Sequence, residues 1–137
     1  MQGINLEVTT CCPLSCPQCY CSLEGGKHLE LTIAKKKIDE AYKHGVKIAH
    51  ISGGETLCYP HIYELLKYIS GYGITANIAI SGYTFNEGIL EKLILSGVSG
   101  IFVSLNGSNS EINALTRDGY EMAISALTVL KDAKYEN

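Results

Sequence analysis

Four short stretches alternate apolar and polar residues, and a segment with helical spacing follows each. That succession constrains the fold of this chain more than anything else in it. The extended stretches are Ile4–Thr9 (INLEVT), Lys47–Ser52 (KIAHIS), Ala76–Ser81 (ANIAIS) and Ile101–Asn106 (IFVSLN). Between them, Thr32 is predicted to cap a helix that ends at Gly45. Pro60 suits the first turn of a helix carrying Ile62, Leu65, Leu66 and Ile69 on one face. Asn86 is predicted to cap a third, with Leu90, Leu93 and Ile94, ending near Gly97. Asp118 with Glu121 reads as a capping box ahead of Ala123, Leu127 and Leu130. Successive β–α units imply a parallel sheet with right-handed crossovers. No linker or low-complexity tract divides the chain, so residues 1–137 read as one domain.

The alternation also separates two faces. Ile4, Leu6, Val8, Ala49, Ile51, Ile78, Ile80, Ile101, Val103 and Leu105 fall on one. Asn5, Glu7, Thr9, His50, Ser52, Asn77, Ser81, Phe102, Ser104 and Asn106 fall on the other. Parallel sheets are normally apolar on both faces because helices cover both. Burying the polar set under helices would cost roughly 1–3 kcal/mol for each unpaired group. A curved, barrel-like sheet whose polar inner face lines a ligand cavity avoids that cost. An ordinary sheet with a few hydrogen-bonded polar residues is the alternative. His50 falls on the cavity side of the alternation, yet it is expected to be a hydrogen-bonded structural histidine. The expected architecture is α/β: a partial TIM-like (β/α) barrel of about four β/α units, with helices on the outer face.

Apolar residues make up 46% of the chain, enough for a packed core, and a net charge of −3 gives no electrostatic reason to expect a nucleic-acid partner. No apolar run approaches the roughly 18 residues needed to span a bilayer. The N-terminus MQGINLEV lacks the basic-then-apolar order of a signal peptide. A reducing cytoplasmic setting is therefore expected, where clustered cysteines serve metals or redox chemistry more often than disulfides.

Five of the six cysteines crowd into TTCCPLSCPQCYC, Thr9–Cys21, directly after the first strand. Strand C-terminal ends are where chemistry sits in parallel β/α folds. Cys12, Cys16 and Cys19 have the spacing C-x3-C-x2-C, with Cys11 and Cys21 flanking. Structural zinc usually takes four ligands in two separated pairs, and no second pair follows. An all-cysteine four-iron cluster also takes four ligands, so three cysteines leave one iron open. Spacing alone favours iron–sulfur over zinc without excluding zinc.

CPLSCPQCY (Cys12–Tyr20) resembles the signature loop of radical S-adenosylmethionine (SAM) enzymes, which follows the first strand of a partial (β/α)6 barrel. The resemblance continues in order along the chain. ISGGET (Ile51–Thr56) is similar to the family's Gly-Gly-Glu motif at the end of strand two. IAISGYT (Ile78–Thr84) lies where members carry a Thr-Asn-Gly-like strand end. VSLNGSNSEINALTRDGYEMAISAL (Val103–Leu127) resembles the end of strand four with the Arg-containing loop and helix after it. The Ser-Leu-Asx-Gly form is closest in flavour to peptide-modifying and cofactor-maturing members.

The resemblance implies a 4Fe–4S cluster on Cys12, Cys16 and Cys19, with SAM chelating the open iron through its amino and carboxylate groups. Reductive cleavage of SAM would give a 5′-deoxyadenosyl radical that abstracts hydrogen from a substrate, with a peptide the favoured guess. A reductant such as flavodoxin or ferredoxin is implied as electron donor. Gly53 and Gly54 correspond to the pair whose backbone approaches the methionine amine, and Glu55 to its carboxylate partner. Ser104 and Asn106 match positions that contact the ribose or methionine carboxylate. Asn106 stands where Asp is commoner, keeping the hydrogen bond and losing the charge. Ser81 is a similar candidate from strand three, and Arg117 resembles an arginine that pairs with the SAM carboxylate. Gln18 occupies a usually aromatic position beside the adenine, and Tyr20 could take over that packing. Cys11, Cys21 and Cys58 match no family role.

The family core has six β/α units, and this sequence reads as truncated before strands five and six. Strand four is then expected to be an exposed edge, open to self-association. A non-catalytic metal-binding domain and an inactive truncated paralogue acting as a binding module are the competing readings. Against the first of these stands Gly53-Gly54-Glu55, which a structural metal does not need.

Overall fold

Side-chain alternation in the strands decides how this chain layers itself. The structure is a computed structural model, and it describes residues 3–10, 27–82, 85–104 and 120–133. Four strands follow one another: β1 (Gly3–Thr9), β2 (Ile48–Gly53), β3 (Thr75–Ile80) and β4 (Gly100–Val103). They pair in parallel in the order β1-β2-β3-β4. The helices are α1 (Leu31–Lys43), α2 (Ile62–Gly71), α3 (Glu87–Leu95) and α4 (Tyr120–Asp132), with a short 3-10 turn at Thr56–Cys58. No described helix is long and apolar enough to cross a membrane.

Leu6, Val8, Ala49, Ile51, Ala76, Ile78, Ile80 and Ile101 form the buried face of the sheet. They share one core with Ala34 and Ile38 of α1, Leu65, Leu66 and Ile69 of α2, Leu90 and Leu93 of α3, and Ala126 and Leu130 of α4. All four helices therefore cover the same face. The opposite face keeps Asn5, Glu7 and Phe102 exposed and His50, Ser52 and Asn77 half-buried. The parallel α/β sheet with four units and one-sided helices forms as the alternation requires. The sheet is open, with β1 and β4 at its edges among the described residues.

Several local expectations need correction. Thr32 lies inside α1, and Glu30 holds the N-cap position without a side-chain cap bond. The helix starts early because the chain is already fixed at Leu29, whose N–H donates to the Val8 carbonyl at 2.7 Å. Pro60 precedes α2, whose N-cap is His61. A proline fixes the approach to a helix as readily as its first turn. Asn86 does cap α3, its Oδ1 accepting from the Ile89 N–H at 2.9 Å. Ile94 and Leu127, assigned to packed stripes, are 48% and 40% exposed. In α4 the packed residues are Ala123, Ala126 and Leu130. Alanines fit there because the α4 backbone comes so close to the sheet. A Cβ on Gly82, at φ +101°, would strike the Met122 carbonyl. Asp118 lies outside the described residues.

Candidate functional site

β1 ends at Thr9, Thr10 follows it, and the returning chain is stitched to both. The Thr10 N–H donates to the Lys27 carbonyl at 2.9 Å, and the Lys27 N–H donates to Thr10 Oγ1 at 2.8 Å. Thr9 and His28 form an antiparallel bridge, with Thr9 Oγ1 and His28 Nδ1 2.8 Å apart. The chain therefore leaves at Thr10 and re-enters beside it at Lys27. Tyr59 secures this neck from below: it is 1% exposed, and its hydroxyl donates to the Leu29 carbonyl at 2.8 Å. Burial pushes the Tyr59 phenol above its ordinary range.

The neck stands against the Gly-Gly-Glu segment. A register shift between Glu7 and Thr9 brings Thr9 opposite Gly53. A Cβ on Gly53 would lie 2.5 Å from the Thr9 carbonyl oxygen and 3.0 Å from its Cγ2. Glycine is needed here so that β1 can approach β2. The Gly54 N–H then donates to the same Thr9 oxygen at 2.8 Å.

Glu55 is 1% exposed and caps the Thr56–Cys58 turn. Its Oε1 accepts from the Leu57 N–H at 3.1 Å. Its Oε2 accepts from the Ser81 N–H at 2.9 Å and from the Ser81 hydroxyl. The adjacent Thr56 hydroxyl donates to the Ala79 carbonyl at 2.6 Å. Two side chains from the end of β2 thus tie down the end of β3. Three donors surround the carboxylate, yet no described cation pairs with it. A carboxylate held by hydrogen bonds alone would gain a charge-assisted bond from an amine brought beside it.

The structure brings Gly53, Gly54, Glu55 and Ser81 together at the C-terminal ends of β2 and β3. Ser104 is half-buried beside them, its N–H donating to the Ile80 carbonyl at 2.9 Å. Cys12, Cys16, Gln18, Cys19, Tyr20, Asn106 and Arg117 lie outside the described residues, as do Cys11 and Cys21. Cys58 is half-buried on the turn after Glu55. Among the described residues, no group of three His, Cys, Asp or Glu is placed to hold a metal ion. Sequence reasoning missed the bracing roles of Thr10, His28, Thr56 and Tyr59. The paired threonines before the cysteines were the one available hint.

Lower on the same face, Asn5, His50, Ser52, Asn77 and Phe102 line a cavity of about 320 Å³. The structural-histidine expectation for His50 is corrected: its ring faces this cavity and hydrogen-bonds to no group among the described residues. The imidazole sits instead beside the Phe102 ring, with centroids 6.3 Å apart.

Residues 6–137 match the family described as the Radical SAM superfamily. Among curated proteins, the AdoMet-dependent heme synthase of Methanosarcina barkeri is 33% identical over 96% of this chain and 40% of its own length. The PqqA peptide cyclase of Rhodopseudomonas palustris is 32% identical over 80% of this chain and 30% of its own length. The crystal structure of methylornithine synthase superimposes with a TM-score of 0.79 at 16% identity, covering 96% of this chain and 41% of that one. The chain thus spans less than half the length of these relatives, and the fold likeness agrees with the partial-barrel reading.

Proposed function

The chain belongs to the radical SAM superfamily, and from that premise we propose that it forms the SAM-binding part of an enzyme that modifies a peptide. The observation that carries the reading is the neck at Thr9–Thr10 and Lys27–His28 standing directly against Gly53-Gly54-Glu55. Cys12, Cys16 and Cys19 follow Thr9–Thr10 of that neck directly in the sequence, which supports assigning them to the same strand ends as the buried Glu55 carboxylate, which pairs with no cation among the described residues. When bound, a 4Fe–4S cluster and SAM supply one-electron cleavage of a carbon–sulfur bond and a carbon radical able to abstract hydrogen.

Cys12, Cys16 and Cys19 would hold the cluster. Glu55 would accept from the SAM ammonium, a charge-assisted bond in a site where water is excluded. Gly54 offers a backbone without a side chain at the same place. Ser81, donating to Glu55, orients that carboxylate. Ser104, Asn106 and Arg117 are assigned to the ribose and methionine carboxylate, and Gln18 and Tyr20 to the adenine side. Residues 1–137 are assigned to the family's core domain.

A peptide substrate is supported by the similarity to a peptide cyclase. A cytoplasmic setting and a reductant such as flavodoxin or ferredoxin complete the reading. The edge of β4 is assigned to pairing with a further strand, from this chain's own kind or another.

Anaerobic loading of the chain with iron and sulfide, followed by SAM and dithionite, tests this. Release of 5′-deoxyadenosine is expected, lost in Cys16→Ala and kept in Cys21→Ala. A chain that takes up zinc and forms no cluster would overturn the reading.

A further inference from the structure

The cavity below the strand ends has a construction that the SAM site does not use. Asn5, His50 and Asn77 are direct register partners across β1, β2 and β3. With strands about 4.8 Å apart, they make a row roughly 10 Å long on one level. Gly100 is the next residue of that row. A Cβ there would lie 2.6 Å from Asn77 Oδ1, so the Asn77 carboxamide leans over β4 in space that only glycine leaves. Ser52 and Phe102 stand one level up. Among the described residues, the side chains of Asn5, His50, Ser52 and Asn77 find no hydrogen-bond partner, although three of the four are half-buried. Phe102 is 55% exposed despite facing inward.

We propose that this row is a substrate ledge: it holds an uncharged, amide-bearing segment of a peptide, with Phe102 carrying an apolar side chain of that segment. This rests on the reading of the chain as a peptide-modifying enzyme and assigns the part of the substrate remote from the reaction. The chemistry of the wall selects the class. Among the described residues no Asp, Glu, Lys or Arg lines the cavity, the exposed Glu7 standing outside it as the register partner of Ser52. Each carboxamide offers both a donor and an acceptor, the complement of a peptide group. An anionic ligand would meet the two carboxamide oxygens as well as the donors. The volume is near the low end of the roughly 300–1,000 Å³ of small-ligand pockets, enough for one residue and its flanking amides. Asn77 lies four residues before Ser81, about 13 Å along the strand. Contacts that far from the reacting atoms anchor and select substrate rather than take part in chemistry.

The test is a titration of the full chain, labelled with 13C at histidine, with N-acetylphenylalaninamide, and with N-acetylphenylalanine as the charged control. His50→Gln identifies the His50 resonance by its loss. The neutral amide is expected to shift that resonance saturably and to bind more tightly than the acid. Asn77→Leu and Asn5→Leu are expected to weaken it about fivefold each, the loss of one neutral hydrogen bond. Asn77→Asp keeps the shape, removes the donor and is expected to weaken it similarly, which covers any failure of the leucine variants to fold. A silent His50, equal affinity for amide and acid, or variants that bind like the parent would overturn the ledge. Release of 5′-deoxyadenosine from SAM, measured on the same preparations, separates the two ideas. SAM cleavage with a silent His50 sinks the ledge alone, whereas amide binding without SAM cleavage overturns the enzymatic reading and leaves the row an amide-binding site that is no substrate ledge.

Discussion

Glu55→Gln tests the bracing of the strand ends most directly. The carboxylate accepts from opposite sides: Oε1 from the Leu57 N–H at 3.1 Å, Oε2 from the Ser81 N–H at 2.9 Å and from the Ser81 hydroxyl. Glutamine has the same shape, but one of its two ends is a donor. With its nitrogen toward Ser81 it confronts a backbone N–H, and flipped over it confronts the Leu57 N–H. Either way a buried donor loses its acceptor, at about 1–3 kcal/mol, and the bonds that remain lose their ionic share, about 1 kcal/mol more. The expected loss of stability is therefore about 2–4 kcal/mol. Urea unfolding reads it: with a slope near 2 kcal/mol per molar, the midpoint should fall by about 1–2 M. Ser81→Ala removes only the hydroxyl, so its effect should be smaller, and Glu55→Gln/Ser81→Ala should lose less stability than the sum of the two single losses. A midpoint that moves by less than about 0.3 M, or strict additivity, would refute the bracing argument.

Three further outcomes are expected. Gly53→Ala places a methyl 2.5 Å from the Thr9 carbonyl, so β1 and β2 must part and a thermal melt should show a loss of about 1–3 kcal/mol. Asn86→Ala removes the Ile89 cap and should cost about 1 kcal/mol by the same assay, without changing SAM cleavage. The third concerns the α1–α2 contact, where the Asp39 carboxylate accepts from the Tyr68 hydroxyl at 2.5 Å and from the Tyr72 hydroxyl. Those two hydroxyls, Tyr68 first, hold the Asp39 carboxyl below its ordinary 3.8. Its contribution is present above that value and lost as pH falls through the lower folded one. Asp39 in turn raises both tyrosines above 10.0, so their contribution is present below that and lost as pH rises through the raised values. Asp39→Asn should therefore flatten both the acid and the alkaline arms of a stability–pH profile followed by circular dichroism.

What the sequence disclosed depended on how local the determinant was. Strand faces follow a two-residue period, so Leu6, Val8, Ile51 and Ile78 were legible as core and Asn5, His50 and Asn77 as the opposite face. The cap at Asn86 is also local, one side chain to an N–H three residues on. Ile94 and Leu127 failed because bulk was taken for burial. How closely α4 can approach the sheet is set by Gly82, on a distant strand end. Gly53 was legible as a close approach, yet the neighbour the structure places there is the Thr9 backbone. The bond between Glu55 and Ser81 joins residues far apart in the chain, and no periodicity reports such a pair.

The two levels of the polar face differ in a way that bears on function. At the strand ends Thr9, Glu55, Thr56 and Ser81 are all buried, and all are engaged in hydrogen bonds. Such a network fixes side chains within the tolerance that a reactive cofactor requires. Among the described residues no cation pairs with Glu55. Further down the same face the side chains of Asn5, His50, Ser52 and Asn77 make no hydrogen bonds among the described residues, so they can turn toward whatever enters. Rigid above and adaptable below is what a fold needs when one ligand is constant and the other sets specificity. A substitution at the upper level should therefore lower stability and SAM cleavage together. A substitution at the lower level should cost less stability and show itself in weaker amide binding.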